Sequence, residues 1–293
     1  MARQSANEKW QQRWDLLLRY RLIEIIALWE GRLTTKALIQ AFGIGRQQAS
    51  KDINFYNAEI AAGNLVYDTR LKGYRPADEF RCTVTQGNIN EYLHLLASRQ
   101  DLQSKIEYMD INQANITSIQ PPLRQVKPAF VRAIIEAARE NKRVEIQYTS
   151  LTKPEPRDRM IAPHTLVFNG YRWHVRAYCE ETSMFKDFLL SRMTDIAEIT
   201  LDATQGEADD LDWNTFVEIV IHPDSRLNLA QRKVIENDFA MRQGALVIKT
   251  RAALVTYYLQ LLRIDKAESH ANPGAQQIIL ANRDQLSQWI LPE

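Results

Sequence analysis

Cysteine, glycine and proline are all scarce in this chain of 293 residues, which has two, ten and ten of them. Cys82 and Cys179 lie far apart, so they form neither a disulfide framework nor the paired spacing of a zinc site. No apolar run approaches the roughly 18 residues of a transmembrane helix. The first residues, from Met1, lack the apolar core of a signal peptide. These absences predict a protein of the reducing cytoplasm with no membrane partner.

Sequence motifs of several enzyme classes are missing as well. No glycine-rich phosphate loop follows a strand, and neither a Gly-x-Ser-x-Gly elbow nor a His-Glu-x-x-His pair occurs. The spacing of His164, His174 and Cys179 fits no common zinc pattern. The acidic run Glu207–Asp212 is best explained as a solvated surface loop. We therefore predict that the protein is not an enzyme and holds no metal and no cofactor.

Composition and charge indicate a folded protein with one basic region. The hydrophobic share is 45% and the charged share 25%, and the length favours two or three domains. The net charge is only +1, but residues 1–76 hold 12 Lys and Arg against 7 Asp and Glu. A basic region on an otherwise acidic chain is a feature that phosphate binding requires.

The basic region carries the pattern of a helix-turn-helix. A long helix is predicted over Glu8–Glu30, and a short helix over Lys36–Phe42 follows a Thr34-Thr35 cap. After the turn Gly43-Ile44-Gly45, a second helix is predicted from Arg46 to about Ala61. Two short helices joined by a tight turn pack at a steep angle, so the second one can enter a DNA major groove.

The outer face of this second helix has the residue types that read DNA. Ala49 and Ile53 are predicted to face inward, and Asp52 lies on the flank. Arg and Lys reach guanine edges or phosphates, while Gln and Asn pair with adenine. The outward residues are predicted to be Arg46, Gln47, Gln48, Ser50, Lys51 and Asn54. The alternative is a polar surface helix of a helical bundle.

A β-hairpin follows the second helix and completes the pattern. Its strands are predicted at Leu65–Tyr67 and Tyr74–Pro76, joined by the polar turn Asp68–Gly73. A winged helix-turn-helix is the natural assembly, with the hairpin touching phosphates beside the groove. The predicted DNA-binding set adds Thr35, Arg70, Lys72 and Arg75 to the outward residues of the helix.

The middle of the chain is rich in predicted strands. A helix over Asn88–Leu102 lies in a linker region, a helix over Pro128–Asn141 follows, and strands fill residues 143–201. Alternation in Gly170–Tyr178 predicts a core face and a polar face. The core face is predicted to hold Tyr171, Trp173, Val175 and Ala177, and the polar face Arg172, His174, Arg176 and Tyr178.

Neighbouring strands extend the polar face. They contribute Tyr148, Arg159, His164 and Arg192. A small twisted barrel would let some of these residues converge into a basic, aromatic-edged cleft for an anion such as a nucleotide, an oligonucleotide or a phosphorylated metabolite. The alternative is a solvated sheet face with incidental ion pairs.

The last part of the chain alternates strands and helices. Strands are predicted over residues 216–222, 246–250 and 277–281, with helices over 229–239 and 252–264. This β-α-β-α-β order is compatible with a ferredoxin-like layer. The second helix is apolar nearly all round, with Tyr257, Tyr258, Leu259, Leu261 and Leu262. Such a helix is either part of the core or a dimer interface.

Two stretches resemble a known family. The run Ala37–Ile53, which ends in Lys51-Asp52-Ile53, resembles the N-terminal domain of DeoR-type and WYL-domain regulators. Residues 143–200 resemble a WYL domain through Trp173-His174-Val175 and Phe188–Arg192. The layout as a whole is similar to that of WYL repressors found beside phage-defence operons.

The resemblance implies an α+β chain with a winged helix, a central SH3/Sm-like barrel and a C-terminal extension that helps dimerisation. It implies a ligand pocket formed by Tyr148, His164, His174, Arg176 and Arg192, with Arg159 as a further candidate. The expected domains are residues 1–80 (winged helix), 81–126 (helical linker), 127–203 (barrel with its preceding helix) and 204–293 (ferredoxin-like extension).

We therefore expect a nucleoid-associated homodimeric repressor that binds a palindromic operator in double-stranded DNA and responds to a nucleotide or oligonucleotide effector. The alternative is an activator or accessory module whose barrel binds single-stranded nucleic acid.

Overall fold

The computed structural model describes residues 14–103, 122, 124–266 and 270–290. The chain divides into two compact units, residues 1–120 and 121–293. The helices of the described residues are all too short or too polar to cross a membrane. The predicted start of the first helix at Glu8 lies outside the described residues.

The first unit is a winged helix-turn-helix, as predicted. Its elements are α1 (Trp14–Glu30), α2 (Thr35–Phe42), α3 (Arg46–Phe55), β1 (Leu65–Asp68), β2 (Gly73–Pro76) and α4 (Ile89–Gln103). A π-helical turn over Tyr56–Ile60 extends α3. Gly43 ends α2 in the left-handed conformation, with φ 62°, and its N–H donates to the Ile39 carbonyl. Thr34 stands at the N-cap of α2, but its side chain makes no capping hydrogen bond.

The core of this unit lies between α1, α2, α3 and the wing. Leu38, Ala49, Ile53 and Tyr56 are fully buried, as the helical spacing predicts. The wing is tied to the helices because Leu33, between α1 and α2, pairs with Tyr74 through two backbone hydrogen bonds of 2.8 Å.

A buried carboxylate fixes the segment that follows the wing. Glu24 of α1 is fully buried and accepts hydrogen bonds of 2.8–3.0 Å from the backbone N–H groups of Thr83, Val84 and Thr85. The hydroxyl of Tyr56 also donates to it, at 2.9 Å. Burial, reinforced by the charge of Glu24, raises the pKa of Tyr56 above its ordinary value. Residues beyond the wing therefore pack against the winged helix.

The second unit begins with a helix and a five-stranded sheet. Its elements are α5 (Pro128–Glu140), β3 (Lys142–Tyr148), β4 (Arg157–Phe168), β5 (Trp173–Cys179), β6 (Met184–Leu189) and β7 (Met193–Asp202). The strands are antiparallel in the order β6-β5-β4-β3-β7. Helix α5 and these five antiparallel strands form the predicted SH3/Sm-like domain. Its core includes Ile134, Ile146, Ile161, Val175 and Ala177.

The predicted faces of β5 are only partly correct. Val175 and Ala177 are buried in the core, but Tyr171 and Trp173 are about half exposed. Tyr171 lies outside the strand, because Asn169 accepts hydrogen bonds from the N–H groups of Tyr171 and Arg172 in a turn. Trp173 is the first residue of β5 and lies at an exposed strand end, where the centre of its ring is 5.0 Å from that of Phe168. Strand alternation therefore does not extend back to residue 171.

A smaller sheet and short helices complete the second unit. Its elements are α6 (Leu211–Asn214), β8 (Phe216–Pro223), α7 (Leu229–Asp238), β9 (Leu246–Arg251), α8 (Val255–Leu261), β10 (Ile278–Leu280) and α9 (Arg283–Leu286). The strands are antiparallel in the order β10-β8-β9, the arrangement of three adjacent strands in a ferredoxin-like sheet.

The apolar helix of this region belongs mainly to the core. Leu259 is fully buried, and Tyr258 and Leu262 pack against the same cluster. Tyr257 contacts the barrel, whereas Leu261 is exposed. Among the described residues, α8 therefore offers little free apolar surface.

Candidate nucleic-acid interface and barrel site

Helix α3 presents most of the predicted DNA-reading residues to solvent. It begins directly after Gly45, and its inward spacing buries Ala49 and Ile53. Ser50 is half-buried. The exposed side chains are those of Arg46, Gln47, Gln48, Lys51 and Asn54.

Two of the amide side chains on this face are oriented by neighbours. The Gln48 amide nitrogen donates to Asp52 at 2.7 Å, which leaves the amide oxygen free to accept. The Asn54 oxygen accepts from the Tyr74 hydroxyl at 3.3 Å, which links α3 to the wing. Orientation of this kind lowers the entropy that a side chain loses on binding a base.

The sequence position of Asp52 predicted a place on the flank of α3, and this prediction is wrong. It is buried, and its carboxylate lies 2.6 Å from the guanidinium of Arg19 on α1. Arg19 also pairs with Asp15 at 2.6 Å. This ion pair fixes α3 against α1 and removes the acid from the outer face of the helix.

The cations of the wing differ in exposure and in ion pairing. Arg70 and Lys72 are exposed, on a turn in which Asp68 accepts from the N–H groups of Arg70 and Leu71 at 2.8 and 3.0 Å. Arg75 is half-buried and pairs with Asp78 at 3.2 Å. Thr35, the remaining predicted contact, is half-buried in the first turn of α2.

In the barrel, Arg176 and His164 meet a single carboxylate. Asp210 receives two hydrogen bonds from the Arg176 guanidinium, at 2.7 and 3.0 Å, and lies 3.2 Å from His164 Nε2. His164 reaches this position because the pairing register shifts between Pro163 and Thr165, which makes it the extra residue of a β-bulge. Although burial raises the pKa of Asp210, its bonds to Arg176 hold that pKa below the ordinary value.

The loop containing Asp210 is therefore not simply a solvated acidic surface, which corrects the sequence prediction. Asp210 is 1% exposed and also accepts from the N–H of Trp213 at 3.1 Å as the N-cap of α6. Glu207, Asp209 and Asp212 are exposed, as expected. Within the described residues no group of three His, Cys, Asp or Glu side chains forms a metal site.

A second chain of contacts starts at His174. Its Nδ1 lies 3.0 Å from the Tyr257 hydroxyl, which donates to Asp187 at 2.7 Å. Burial, followed by the charges of Arg172 and Arg192, lowers the pKa of His174 to about 4. The imidazole is therefore neutral near pH 7, and its buried Nε2 has no hydrogen-bond partner among the described residues.

The other predicted pocket residues lie in different surroundings. The Tyr148 hydroxyl accepts from the N–H of Leu189 at 3.2 Å, and its ring packs in the barrel core against Phe188. Arg159 forms an ion pair with Glu181. In the structure His164 and Arg176 thus share the carboxylate of Asp210, and the charge of Arg192 lowers the pKa of His174.

Sequence reasoning missed several residues of these sites. They are Arg19 in the first unit and Asp187 and Tyr257 in the second. Arg172 was placed on the polar face but not in the pocket, and Asp210 was assigned to a solvated loop. Asp210 precedes a short helix, and Asp is a preferred N-cap residue, so that signal was present. Asp187 pairs with Arg176 in the register of β5 and β6, which sequence alone does not give.

Three family models match successive parts of the chain. They are the BrxR transcriptional regulator winged helix-turn-helix domain over residues 15–98, the WYL domain over residues 129–198, and the BrxR transcriptional regulator C-terminal dimerization domain over residues 216–286.

Curated relatives match over nearly the whole length. The chain is 36% identical over 280 residues to the DNA-binding transcriptional repressor CapW of Pseudomonas aeruginosa, which covers 95% of this chain and 93% of the relative. Identity to the CapW repressor of Escherichia coli (strain KTE188) is 33% over 276 residues, 94% and 91% of the two chains. Identity to the CapW repressor of Stenotrophomonas maltophilia is 29% over 282 residues, which covers 95% of this chain and 93% of the relative.

Proposed function

Because the chain belongs to the family of DNA-binding transcriptional repressors that includes the CapW proteins, we propose that it represses transcription as a homodimer bound to an inverted repeat near its own promoter. The family consists of regulators, not enzymes. DNA binding is assigned to residues 1–80, effector control to residues 127–203 and dimerisation to residues 204–293. Its place of action is the nucleoid, in the cytoplasm.

The outer face of α3 is the observation that carries the proposal. Arg46 and Lys51 are exposed, and within the described residues neither forms an ion pair. The nearest acid in the helix, Asp52, is turned inward to Arg19. The positive charge of this face is therefore available to phosphates and guanine edges.

Two-fold symmetry follows from the way such helices read DNA. Dimeric helix-turn-helix proteins bind two half-sites about one helical turn apart, so a palindromic operator mirrors the symmetry of the protein. The match to a C-terminal dimerization domain over residues 216–286 supports a homodimer.

The DNA-binding proposal is tested with the duplex upstream of the chain's own gene. Fluorescence anisotropy should show binding that is at least about 1,000-fold tighter than to a shuffled duplex. Affinity should fall steeply with salt as counterions are released. Scrambling one half-site should remove most of the preference. Equal affinity for the native and the shuffled duplex would contradict the proposal.

Effector control is the second part of the proposal. It is supported by the surroundings of His174, where the charges of Arg172 and Arg192 act on the imidazole. The side chains of both arginines lack an ion pair within the described residues. An anionic effector, such as a nucleotide or an oligonucleotide, would neutralise these cations and accept hydrogen bonds from them.

Calorimetry tests effector control separately from DNA binding. The probes are AMP, a short oligothymidylate and inorganic phosphate. We expect one of the nucleotide probes to bind and to weaken operator binding. Arg192→Ala should abolish that response while leaving operator affinity without effector unchanged. Lys153→Ala, in an exposed loop of the barrel, is the control and should change neither the response nor the affinity. If none of the three probes binds, the anionic effector is wrong and the repressor assignment is unaffected.

The regulated genes are proposed to be those of a phage-defence operon. This rests on the similarity of the layout to WYL repressors beside such operons. Deletion of the gene should raise the transcripts of its neighbours, and transcripts that stay unchanged would contradict the proposal.

A further inference from the structure

Arg32, between α1 and α2, is tied to the turn of the wing. Its Nε donates to the backbone carbonyl of Leu71 at 2.7 Å. The residue is exposed, and within the described residues its guanidinium forms no ion pair. An arginine side chain has five N–H donors, so the bond to Leu71 leaves the four on the terminal nitrogens for an external acceptor. The wing therefore holds this cation in place without neutralising it.

The chain around Arg32 packs closely against β2, so this contact is part of the fold. The backbone of Leu33 pairs with that of Tyr74 through two hydrogen bonds of 2.8 Å. A Cβ atom at Gly73 would lie only 2.8 Å from the Leu33 carbonyl oxygen, which is shorter than van der Waals contact. Glycine is thus what allows the two backbones to approach so closely. The position of Arg32 beside the wing is therefore fixed by the backbone as well as by its side chain.

Three cations lie on or against the wing turn. Arg70 and Lys72 are exposed, and neither forms an ion pair within the described residues. Leu71, whose carbonyl binds Arg32, stands between them in the chain. The acid of the turn, Asp68, accepts hydrogen bonds from the N–H groups of Arg70 and Leu71 at 2.8 and 3.0 Å. The turn therefore keeps an excess of positive charge, and we call Arg32, Arg70 and Lys72 the wing cluster.

From this arrangement we propose that Arg32 is a further DNA-contacting residue with two roles. Its terminal nitrogens bind a backbone phosphate beside the groove, and its Nε anchors the turn that carries the rest of the wing cluster. The inference rests on the proposed DNA binding and adds a contact that the predicted set lacks. A planar guanidinium suits a phosphate because two parallel N–H groups can donate to two of its oxygens. Since every nucleotide has the same phosphate, the contact should contribute affinity but no sequence preference.

The two roles of Arg32 can be separated by substitution. Lysine would supply the charge, but a single ammonium group lacks the planar fork that holds the Leu71 carbonyl and a phosphate together. Glutamine would do the reverse. Its Nε2 is as many bonds from Cα as the Nε of arginine, so it can donate to Leu71 without bringing a charge. Alanine removes both the anchor and the charge.

Fluorescence anisotropy with the duplex upstream of the chain's own gene, over a series of salt concentrations, tests the phosphate contact. Arg32→Gln should weaken binding by about 5-fold and lower the salt slope by about one, for this duplex and for a shuffled duplex alike. Arg32→Lys keeps the charge and should keep the slope. Arg139→Gln, the same change at an exposed arginine of α5, is the matched control and should alter binding to neither duplex.

A double-mutant cycle tests the anchor. Lys72→Ala is made in two backgrounds, Arg32→Gln, which keeps the bond to Leu71, and Arg32→Ala, which loses it. If Arg32 positions the turn, Lys72 contributes less to affinity once that bond is lost. The loss on Lys72→Ala should then be at least about 2-fold smaller in the Arg32→Ala background. Both side chains are exposed, so thermal melting should show folded protein in every variant.

The outcomes distinguish this inference from the function on which it rests. A wild type that binds the upstream and the shuffled duplex equally would overturn the operator-binding repressor. With that preference intact, an unchanged affinity and salt slope in Arg32→Gln would overturn the phosphate contact. A loss confined to the upstream duplex would mean that Arg32 reads a base, which also contradicts the phosphate contact. Equal losses on Lys72→Ala in the two backgrounds would overturn the anchor alone.

Discussion

On α3, Arg46 and Lys51 are exposed and have no anionic partner among the described residues, whereas Arg176 on β5 is buried against Asp210 and lies 3.5 Å from Asp187. Both regions have a row of polar and cationic side chains on one side of an element. They differ in what the rest of the fold supplies. In the first unit Asp52 is drawn inward by Arg19, and in the second a carboxylate is brought onto the cation.

The difference separates a binding role from a role in holding the fold together. A cation with no partner in the chain is free to take a phosphate, while a buried, bidentate pair must first be broken. Arg176 therefore serves to join the barrel to the segment that leads into the C-terminal sheet. Arg192 resembles the α3 cations more closely, because no carboxylate in the described residues bonds to it.

Removing Asp210 should have the largest effect. Asp210→Ala leaves Arg176 buried without its main partner and removes the cap of α6, so the free energy of unfolding should fall by about 3 kcal/mol or more. Asp210→Asn keeps the cap but not the charge, and should lose less. Urea denaturation followed by tryptophan fluorescence measures both.

Asp238→Ala is the matched control, because Asp238 is an exposed carboxylate at the end of α7. It should change stability by less than about 0.5 kcal/mol. Equal losses in the Asp210 and Asp238 variants would show that the Asp210 pair does not hold the second unit together.

Much of the fold followed from local patterns. The turn at Gly43–Gly45, the inward spacing of α3 and the alternation within β8 predicted elements that the structure contains, because each depends on neighbours close in sequence. The bounds differ by a residue or a few in most cases.

The sites were less predictable because they depend on contacts that are distant in sequence. Arg176 and Asp210 are separated by 34 positions, and Arg19 and Asp52 by 33. The bulge that presents His164 arises from a register shift between β4 and β5, and the alternation within one strand does not show where such a shift occurs. The exposed Trp173 was assigned to the core because alternation alone does not show that the first residue of β5 lies at an exposed strand end.

Acid should weaken the second unit through His174. Its pKa in the folded chain is about 4, below the usual value of 6.5, because burial and the charges of Arg172 and Arg192 disfavour the cation. Stability from this group is complete above about pH 6.5 and is lost as the pH falls toward 4, since the unfolded chain takes up the proton first. The loss should be about 2 kcal/mol, because solvent screens part of the repulsion.

The measurement is the free energy of unfolding of wild type and His174→Gln between pH 7 and pH 4. The variant lacks this titration and should lose less stability over that range. His164 also has a lowered pKa, because burial outweighs its bond to Asp210. A residual acid dependence is therefore expected in the variant, whereas identical slopes in the two proteins would contradict the assignment to His174.

On the DNA-binding side, Arg46→Ala should weaken operator binding by about 10-fold and lower the salt dependence by about one counterion. Arg46 has no ion pair among the described residues, so stability should change by less than about 0.5 kcal/mol. Lys233→Ala, an exposed cation on α7, is the control and should leave affinity unchanged. A loss of stability without a loss of affinity would show that Arg46 stabilises the fold and does not bind DNA.

The wing offers the smallest contrast, since it contains one cation that has an ion pair and another that has none among the described residues. Lys72 is exposed on the turn, and Arg75 is bound to Asp78 at 3.2 Å in a pair that solvent reaches. Lys72→Ala should lower the salt slope of operator binding by about one, and Arg75→Ala by clearly less, because part of its charge is already neutralised. Asp78→Ala should then raise affinity slightly by freeing Arg75. If Arg75→Ala weakens binding more than Lys72→Ala does, an internal partner does not predict which cations are left for DNA.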